Sequence, residues 1–358
     1  MNINLLKYPA SAALALLGVL AADACTSMVV SGRASASGRP MLWKHRDTSQ
    51  EANFVERSAA TDSTFAYVAL YNAGDSTLAE AWTGMNSRGF AIMNTASYNL
   101  APDTAVYKDC EGKVMAAALQ RCTTVDDFER LLSDMKRPRG VQANFGVIDA
   151  HGGAAYFEVA DDSMVRFDAD DDPHGCLIRT NYSMSGEPDG GYGYIRYDNA
   201  AHILSDAICN GTLTPELFTE GASRSFYHSV LGRDVAGDNC SWTVDQDFIP
   251  RYTSTAAIVI EGICSEDDAR RAVMWTAIGY PPCAVVQPVT VDSVPQGLRP
   301  TLPGFRSPDC DEALTRKAQA FPLVRGNERH YINLDYVRAC SAECSRKSLE
   351  NYRRFRKP

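Results

Sequence analysis

The chain has 358 residues, 45% hydrophobic and 22% charged, with a formal net charge of −9. These proportions are those of a globular protein, and the negative balance argues against nucleic acid as the main partner. Eleven cysteines agree with an exported compartment, where disulfides persist. No cysteine pair has zinc-finger spacing and there are only six histidines, so no metal and no cofactor is expected.

Residues 1–24 carry Lys7, an apolar run over 10–22, and Ala22-Asp23-Ala24. The run is shorter than the roughly 20 residues a membrane span needs, and the small residues at Ala22 and Ala24 form a signal-peptidase site. Residues 1–24 are therefore expected to be a signal peptide, with export to the periplasm or outside the cell, and no later stretch suits a stable membrane span. A cut after Ala24 would make Cys25 the first residue. A thiol of pKa about 8.5 would then share one residue with an α-amine of about 7.7–8.0, close enough to take its proton. The residues alone leave two other readings open. Cys25 is one more disulfide partner, or it carries a lipid anchor on a non-enzymatic, disulfide-rich surface protein. Lipoprotein signals usually want an aliphatic residue three positions upstream, and Ala22 and Asp23 fit that poorly. Setting Cys25 aside leaves ten cysteines, enough for five bridges with one free thiol.

Downstream, residues 27–32 and 40–45 are short β-rich runs with a turn at 35–38, and 65–71, 80–84 and 89–95 continue the strand pattern. Asn86-Ser87-Arg88-Gly89 reads as a turn. Residues 113–121 are rich in helix formers. Thr124 with Asp127 gives a capping signal for a helix over 124–135, whose Val125, Phe128, Leu131, Leu132 and Met135 share one face. Strands return at 144–149, 154–159, 164–167 and 176–180, with an acidic loop at 168–172. Helix is expected at 194–208 and within 215–231, then strands at 255–260 and 272–278. A basic helix over 335–354 carries Cys340 and Cys344 on one face, expected as disulfide anchors to the body. There is no repeat and no flexible linker. The order predicts an α+β fold, a four-layer αββα sandwich over 25–298, followed by a disulfide-stapled helical C-terminal extension over 299–358.

Six pieces then occur in order: Cys25-Thr26 opening a strand, Lys44-His45-Arg46-Asp47 ending the next, Gly84-Met85-Asn86-Ser87-Arg88-Gly89, Asn94 closing a strand, Thr180-Asn181 closing a later one, and Arg196-Tyr197 on a helix. With them the chain resembles the N-terminal-nucleophile (Ntn) cysteine hydrolases, most of all the branch of choloylglycine hydrolases, penicillin acyltransferase-like peptidases and related dipeptidases. The resemblance covers roughly residues 25–280. It implies that Cys25 attacks an amide carbonyl and that Asp47 orients its ammonium or thiol. Asn181 and the backbone N–H of Asn94 would receive the oxyanion, and Arg196 would hold the cluster by charge. Read without the resemblance, Asp47 is a turn-capping aspartate, Asn94 and Asn181 are strand-end turns, and Arg196 is a surface helix arginine. The family pattern has arginine three before the aspartate, and Lys44 stands there instead. Lysine keeps the charge and loses the bidentate fork, so Lys44 and Arg46 both compete for that place.

The function so implied is an exported cysteine amidase acting on small-molecule linear amides through a thioester. An acyltransferase using the same thioester is the nearest alternative. Substrate identity, disulfide pairing and any homo-oligomer are left open.

Overall fold

The computed structural model describes residues 24–101, 108–237, 239–265, 271–324 and 330–357. Apart from Ala24, the expected signal peptide lies outside the described residues. The described part opens with six strands, β1 (Thr26–Val30), β2 (Met41–Asp47), β3 (Asn53–Ser58), β4 (Tyr67–Asn72), β5 (Thr83–Asn86) and β6 (Ala91–Ala96). Helices α1 (Glu111–Arg121) and α2 (Val125–Asp134) follow, then β7 (Ala143–Ile148), β8 (Ala154–Val159), β9 (Met164–Asp168), β10 (Cys176–Arg179) and helix α3 (Tyr194–Asn210). Next come the short β11 (Tyr227–His228), β12 (Arg233–Asp234) and β13 (Trp242–Val244), and the longer β14 (Ser254–Glu261), β15 (Val273–Ile278) and β16 (Gln287–Val289). The C-terminal part holds α4 (Pro308–Ala320), β17 (Leu323–Val324), β18 (His330–Asn333) and α5 (Leu334–Phe355).

Two antiparallel sheets dominate. Seven consecutive strands, β3 to β9, form a meander, and the second sheet has the order β10-β1-β2-β14-β15-β16. One face of each sheet meets the other across Val29, Leu42, Val68, Met93, Ile258 and Met274. At Gly146 of β7 a Cβ would stand 2.7 Å from Met93 and 2.9 Å from Val29, so the missing side chain lets the two sheets approach. The outer face of the meander packs on α1 and α2 through Ile92, Met115, Leu119, Phe128 and Phe157. The outer face of the second sheet is covered by Leu204 of α3 and Tyr352 of α5, the latter stacked on Trp275 with ring centroids 3.9 Å apart. The α+β character expected from the sequence is what the strands and helices form.

Local chemistry accounts for the well-read elements. Thr124 and Asp127 form a complete capping box at the start of α2. Asn86 Oδ1 accepts from Arg88 N (3.0 Å) and Phe90 N (3.2 Å), and Gly89 takes φ +82°, closing the β5–β6 turn. Three expectations differ. The helix expected within 215–231 is confined to 215–224 and is irregular, a π-helix over Leu217–Gly221 and a 3-10 turn over Ala222–Arg224, before the strand β11. There Arg224 turns inward to donate to Pro282 O (2.9 Å) and Ala284 O (2.8 Å). The sequence pattern also predicts neither strand β3 nor helix α4.

The third difference is the cysteine framework. No disulfide joins any of the eleven cysteines, so none of the five expected bridges is formed. Cys310 lies in the inter-sheet core, Cys122 under α1, Cys176 against α3, Cys209, Cys240 and Cys264 are exposed on separate elements, and Cys283, Cys340 and Cys344 share one core. Cys340 and Cys344 do anchor α5 to the body, through burial and thiol hydrogen bonds among Cys283, Cys340 and Cys344. The C-terminal part is also joined to the body by β18, which pairs with β13. Among the described residues no helix is long and apolar enough to cross a membrane.

Candidate active site

The site forms where β1 and β2 lie side by side in the second sheet, facing β6 of the meander. The pairing Thr26↔His45 puts Cys25, just before β1, beside Asp47 at the end of β2. Cys25 is 6% exposed and its Sγ donates to the Asp47 backbone oxygen at 3.9 Å. That same oxygen accepts from Ala24 N at 3.1 Å. Cys25 N is a peptide nitrogen, and the Ala24 carbonyl ahead of it accepts from Arg251 Nη2 at 2.7 Å.

Asp47 is wholly buried, and its carboxylate is satisfied on both oxygens. Ser254 Oγ donates to Oδ1 (2.6 Å), and Arg251 reaches Oδ2 through Nε (2.9 Å) and Nη2 (2.8 Å). His45 Nε2 bonds Ser254 Oγ at 2.8 Å and stands 3.6 Å from Asp47 Oδ1. Burial lowers the His45 pKa to about 4, against the opposing pull of Asp47, so the ring is neutral near pH 7.

Arg196 enters from the first turn of α3. The left-handed Gly193 (φ +93°) leaves room for its guanidinium, which a Cβ there would overlap. Arg196 is 1% exposed, so it is not a surface arginine. Its Nη1 donates to Cys25 O (2.5 Å) and Thr26 Oγ1 (2.9 Å), its Nη2 to Asn181 Oδ1 (2.7 Å), and its Nε is buried without a partner. Burial, with Arg251 nearby, lowers its pKa to about 9. Asn181 is buried too and donates its own amide to Ala96 O at 2.9 Å.

The opposite wall belongs to Lys44 and Asn94. Lys44 Nζ donates to Asn94 Oδ1 and Trp82 O, both at 2.7 Å. Arg46, two residues on, donates to Asn53 Oδ1 (2.5 Å) and Asn72 Oδ1 (2.8 Å), with its guanidinium 5.1 Å from the Trp82 ring. Of the two cations, Lys44 meets Asn94 while Arg46 ties β2 to β3 and β4. A cavity of ≈ 780 Å³ opens onto Cys25, Lys44, Arg46, Asp47, Trp82 and Asn94, large enough for a small molecule. Asn181 does not line it. A second cavity of ≈ 670 Å³ lies between α1 and α2 and holds Cys122, whose thiol is pushed up to about 12 by burial. That thiol is a poor nucleophile.

Thus Cys25, Asp47, Asn181 and Arg196 fall in one bonded cluster, with Lys44 and Asn94 across the cavity. Sequence reasoning missed Arg251, Ser254 and His45. Arg251 and Ser254 lie just before and at the start of β14, more than 200 residues from Asp47. No local pattern marks them. His45 was legible only as the residue two before Asp47 on the same strand, hence on the same face. Among the described residues no cluster of His, Cys, Asp or Glu is arranged to hold a metal.

No family model and no curated protein matches the sequence. Solved structures similar to this chain include a mutant of conjugated bile acid hydrolase from Clostridium perfringens, at 10% identity and TM-score 0.46, covering 76% of this chain and 93% of that one. Another is a Caenorhabditis elegans N-acylethanolamine-hydrolyzing acid amidase orthologue, at 12% identity and TM-score 0.42, covering 70% and 99%. A third is penicillin V acylase from Agrobacterium tumefaciens, at 14% identity and TM-score 0.40, covering 75% and 87%. At these values the chemistry of this chain is read from its own residues.

Proposed function

We propose that the chain is an exported cysteine amidase that hydrolyses linear C–N amide bonds of small molecules through a thioester on Cys25. The observation that supports this most is the place of Cys25: a buried thiol at the mouth of a ≈ 780 Å³ cavity, at the junction where a cut would free its amine, bonded into the Asp47–Arg196 cluster. After a cut between Ala24 and Cys25, the α-amine occupies the place of the present peptide nitrogen. It takes the thiol proton, and the sulfur bonds to the amide carbon while the carbonyl oxygen gains charge. Collapse breaks the C–N bond, and the proton held on the α-ammonium passes to the leaving amine. Water then attacks the thioester, giving the acid and the free thiol.

In this reading Arg196 and Asp47 orient Cys25, Arg196 through the Cys25 carbonyl and Asp47 through its backbone oxygen. The Asn94 backbone N–H receives the oxyanion, and Asn181 joins it by turning its amide away from Ala96 O into the cavity; Lys44 holds the Asn94 side chain. An acceptor amine in place of water turns the same thioester to acyl transfer.

The test compares a chain beginning at Cys25 with one carrying a single extra residue before it, against a panel of N-acyl amides. The first should turn over and trap a thioester on Cys25. The second should melt at the same temperature and be inactive, as should Cys25→Ser. Equal activity with the extra residue in place would sink the proposal.

A further inference from the structure

The residue after Arg251 points away from the active site into a clamp built by the C-terminal part of the chain. The Tyr252 ring stacks on His330 with centroids 3.4 Å apart and an interplanar angle of 9°. Phe321 meets it edge-on at 5.3 Å, and Lys317 Nζ stands 4.3 Å from its centroid. Lys317 in turn pairs with Glu51, between β2 and β3. The backbone is held as firmly as the ring. Tyr252 N donates to Asp245 Oδ2 (2.9 Å), and Asp245 N donates to His330 O (2.9 Å). The turn from 251 to 254 is closed by Ser254 N to Arg251 O (2.9 Å) and Arg251 N to Ser254 Oγ (3.0 Å). On the inner side of that turn Arg251 and Ser254 hold Asp47, and Arg251 holds the carbonyl ahead of Cys25.

We propose that the C-terminal part is a working component of the active site: Lys317, Phe321 and His330 clamp Tyr252 and so fix Arg251 against Asp47 beside Cys25. These are positioning residues, since none touches the cavity. A stacked ring flanked by a cation and an edge-on aromatic has few rotamers open to it. A turn pinned on its outer side cannot swing its inner arginine away without breaking those contacts. The clamp rests on the reading of Cys25 as a nucleophile, and the experiment has an arm that does not need amide turnover.

That arm is the alkylation rate of Cys25 by iodoacetamide, followed by mass spectrometry in the full chain. Removing a nearby cation disfavours a thiolate, so Arg251→Met slows alkylation, and Tyr252→Ala slows it about tenfold by letting Arg251 drift. The double variant is no slower than Arg251→Met alone, because both act through one guanidinium. Tyr252→Phe keeps every ring contact and matches the wild-type rate. With a turned-over amide, Tyr252→Ala lowers kcat about tenfold and changes KM less than threefold. If Tyr252→Ala does not fold, Lys317→Met takes its place, with a loss of about threefold that again vanishes in the Arg251→Met background. Multiplicative losses in the double variant, a wild-type rate in folded Tyr252→Ala, or a Tyr252→Phe as slow as Tyr252→Ala each overturns the clamp. The expected alkylation pattern without turnover of any amide overturns the amidase reading and leaves the clamp standing.

Discussion

Replacing Arg251 by methionine leaves a wholly buried carboxylate, Asp47, whose remaining hydrogen-bond donor among the described residues is the Ser254 hydroxyl. Arg251 now supplies two contacts to Asp47 Oδ2, at 2.9 and 2.8 Å, from a side chain 17% exposed. Breaking a buried pair by removing one partner costs about 3–5 kcal/mol. The partial exposure of Arg251 places this case near the lower figure, about 3 kcal/mol. The decisive measurement is a double-mutant cycle with Asp47→Asn, read by urea unfolding at pH 7. Removing both charges takes away the stranded anion, so the double variant should be more stable than Arg251→Met, with a coupling energy of about 3 kcal/mol. The pair Arg166–Asp126, with side chains 29% and 75% exposed, is the internal control and should couple by less than about 1 kcal/mol. If Arg251→Met costs under about 1 kcal/mol, or the two losses simply add, Arg251 does not neutralise Asp47 and the electrostatic account of the site is wrong.

Three other measurements bear on the same geometry. His45 is held at about 4 by burial while its unfolded value is about 6.5, so between those values the unfolded chain binds more protons and stability rises with pH, by on the order of 3 kcal/mol from this group. Asp245, pushed up to about 6 by burial, acts in the opposite sense as pH rises from 3.8. Urea unfolding of His45→Gln at pH 4.5 and 7 should therefore show a smaller gain on going to pH 7 than wild type, and an equal gain would show that His45 is not held neutral. Asn181→Ala strips Arg196 Nη2 of its acceptor and should cost about 1–3 kcal/mol, whereas Asn181→Asp keeps that contact, sets a carboxylate oxygen against Ala96 O where the amide now donates, and loses turnover; a fully active Asn181→Asp would remove Asn181 from the chemistry. Limited alkylation of the reduced native chain should modify the exposed Cys209, Cys240 and Cys264 before the buried Cys283 and Cys344, and the reverse order would contradict the packing of α5.

Part of this fold is decided by neighbours along the chain. The capping box of α2, the Asn86–Gly89 turn and the alternating strands depend on contacts within a few residues, and they stand where the residues placed them. The α+β character followed from the order of those elements. The nearness of Cys25 to Asp47 was implied only by the family resemblance, and in the structure it comes from the pairing of β1 with β2. Tertiary structure decided the rest. Strand β3 has no strong alternation of its own and is held by pairing with β4. The helix over 215–224 is irregular, π over Leu217–Gly221 and 3-10 over Ala222–Arg224, and its Arg224 is held by the carbonyls of Pro282 and Ala284 in a distant segment. Ten cysteines invited pairing by their count, yet none is bridged, not even Cys283, Cys340 and Cys344, which share one core; parity along a sequence carries no information about distance in space. Arg251 is the sharpest case: an arginine before a strand, without any local mark, becomes the partner of a buried aspartate because β14 is laid beside β2. Charge pairing in a low-dielectric interior is fixed by which strands become neighbours, and that is settled by the packing of two whole sheets.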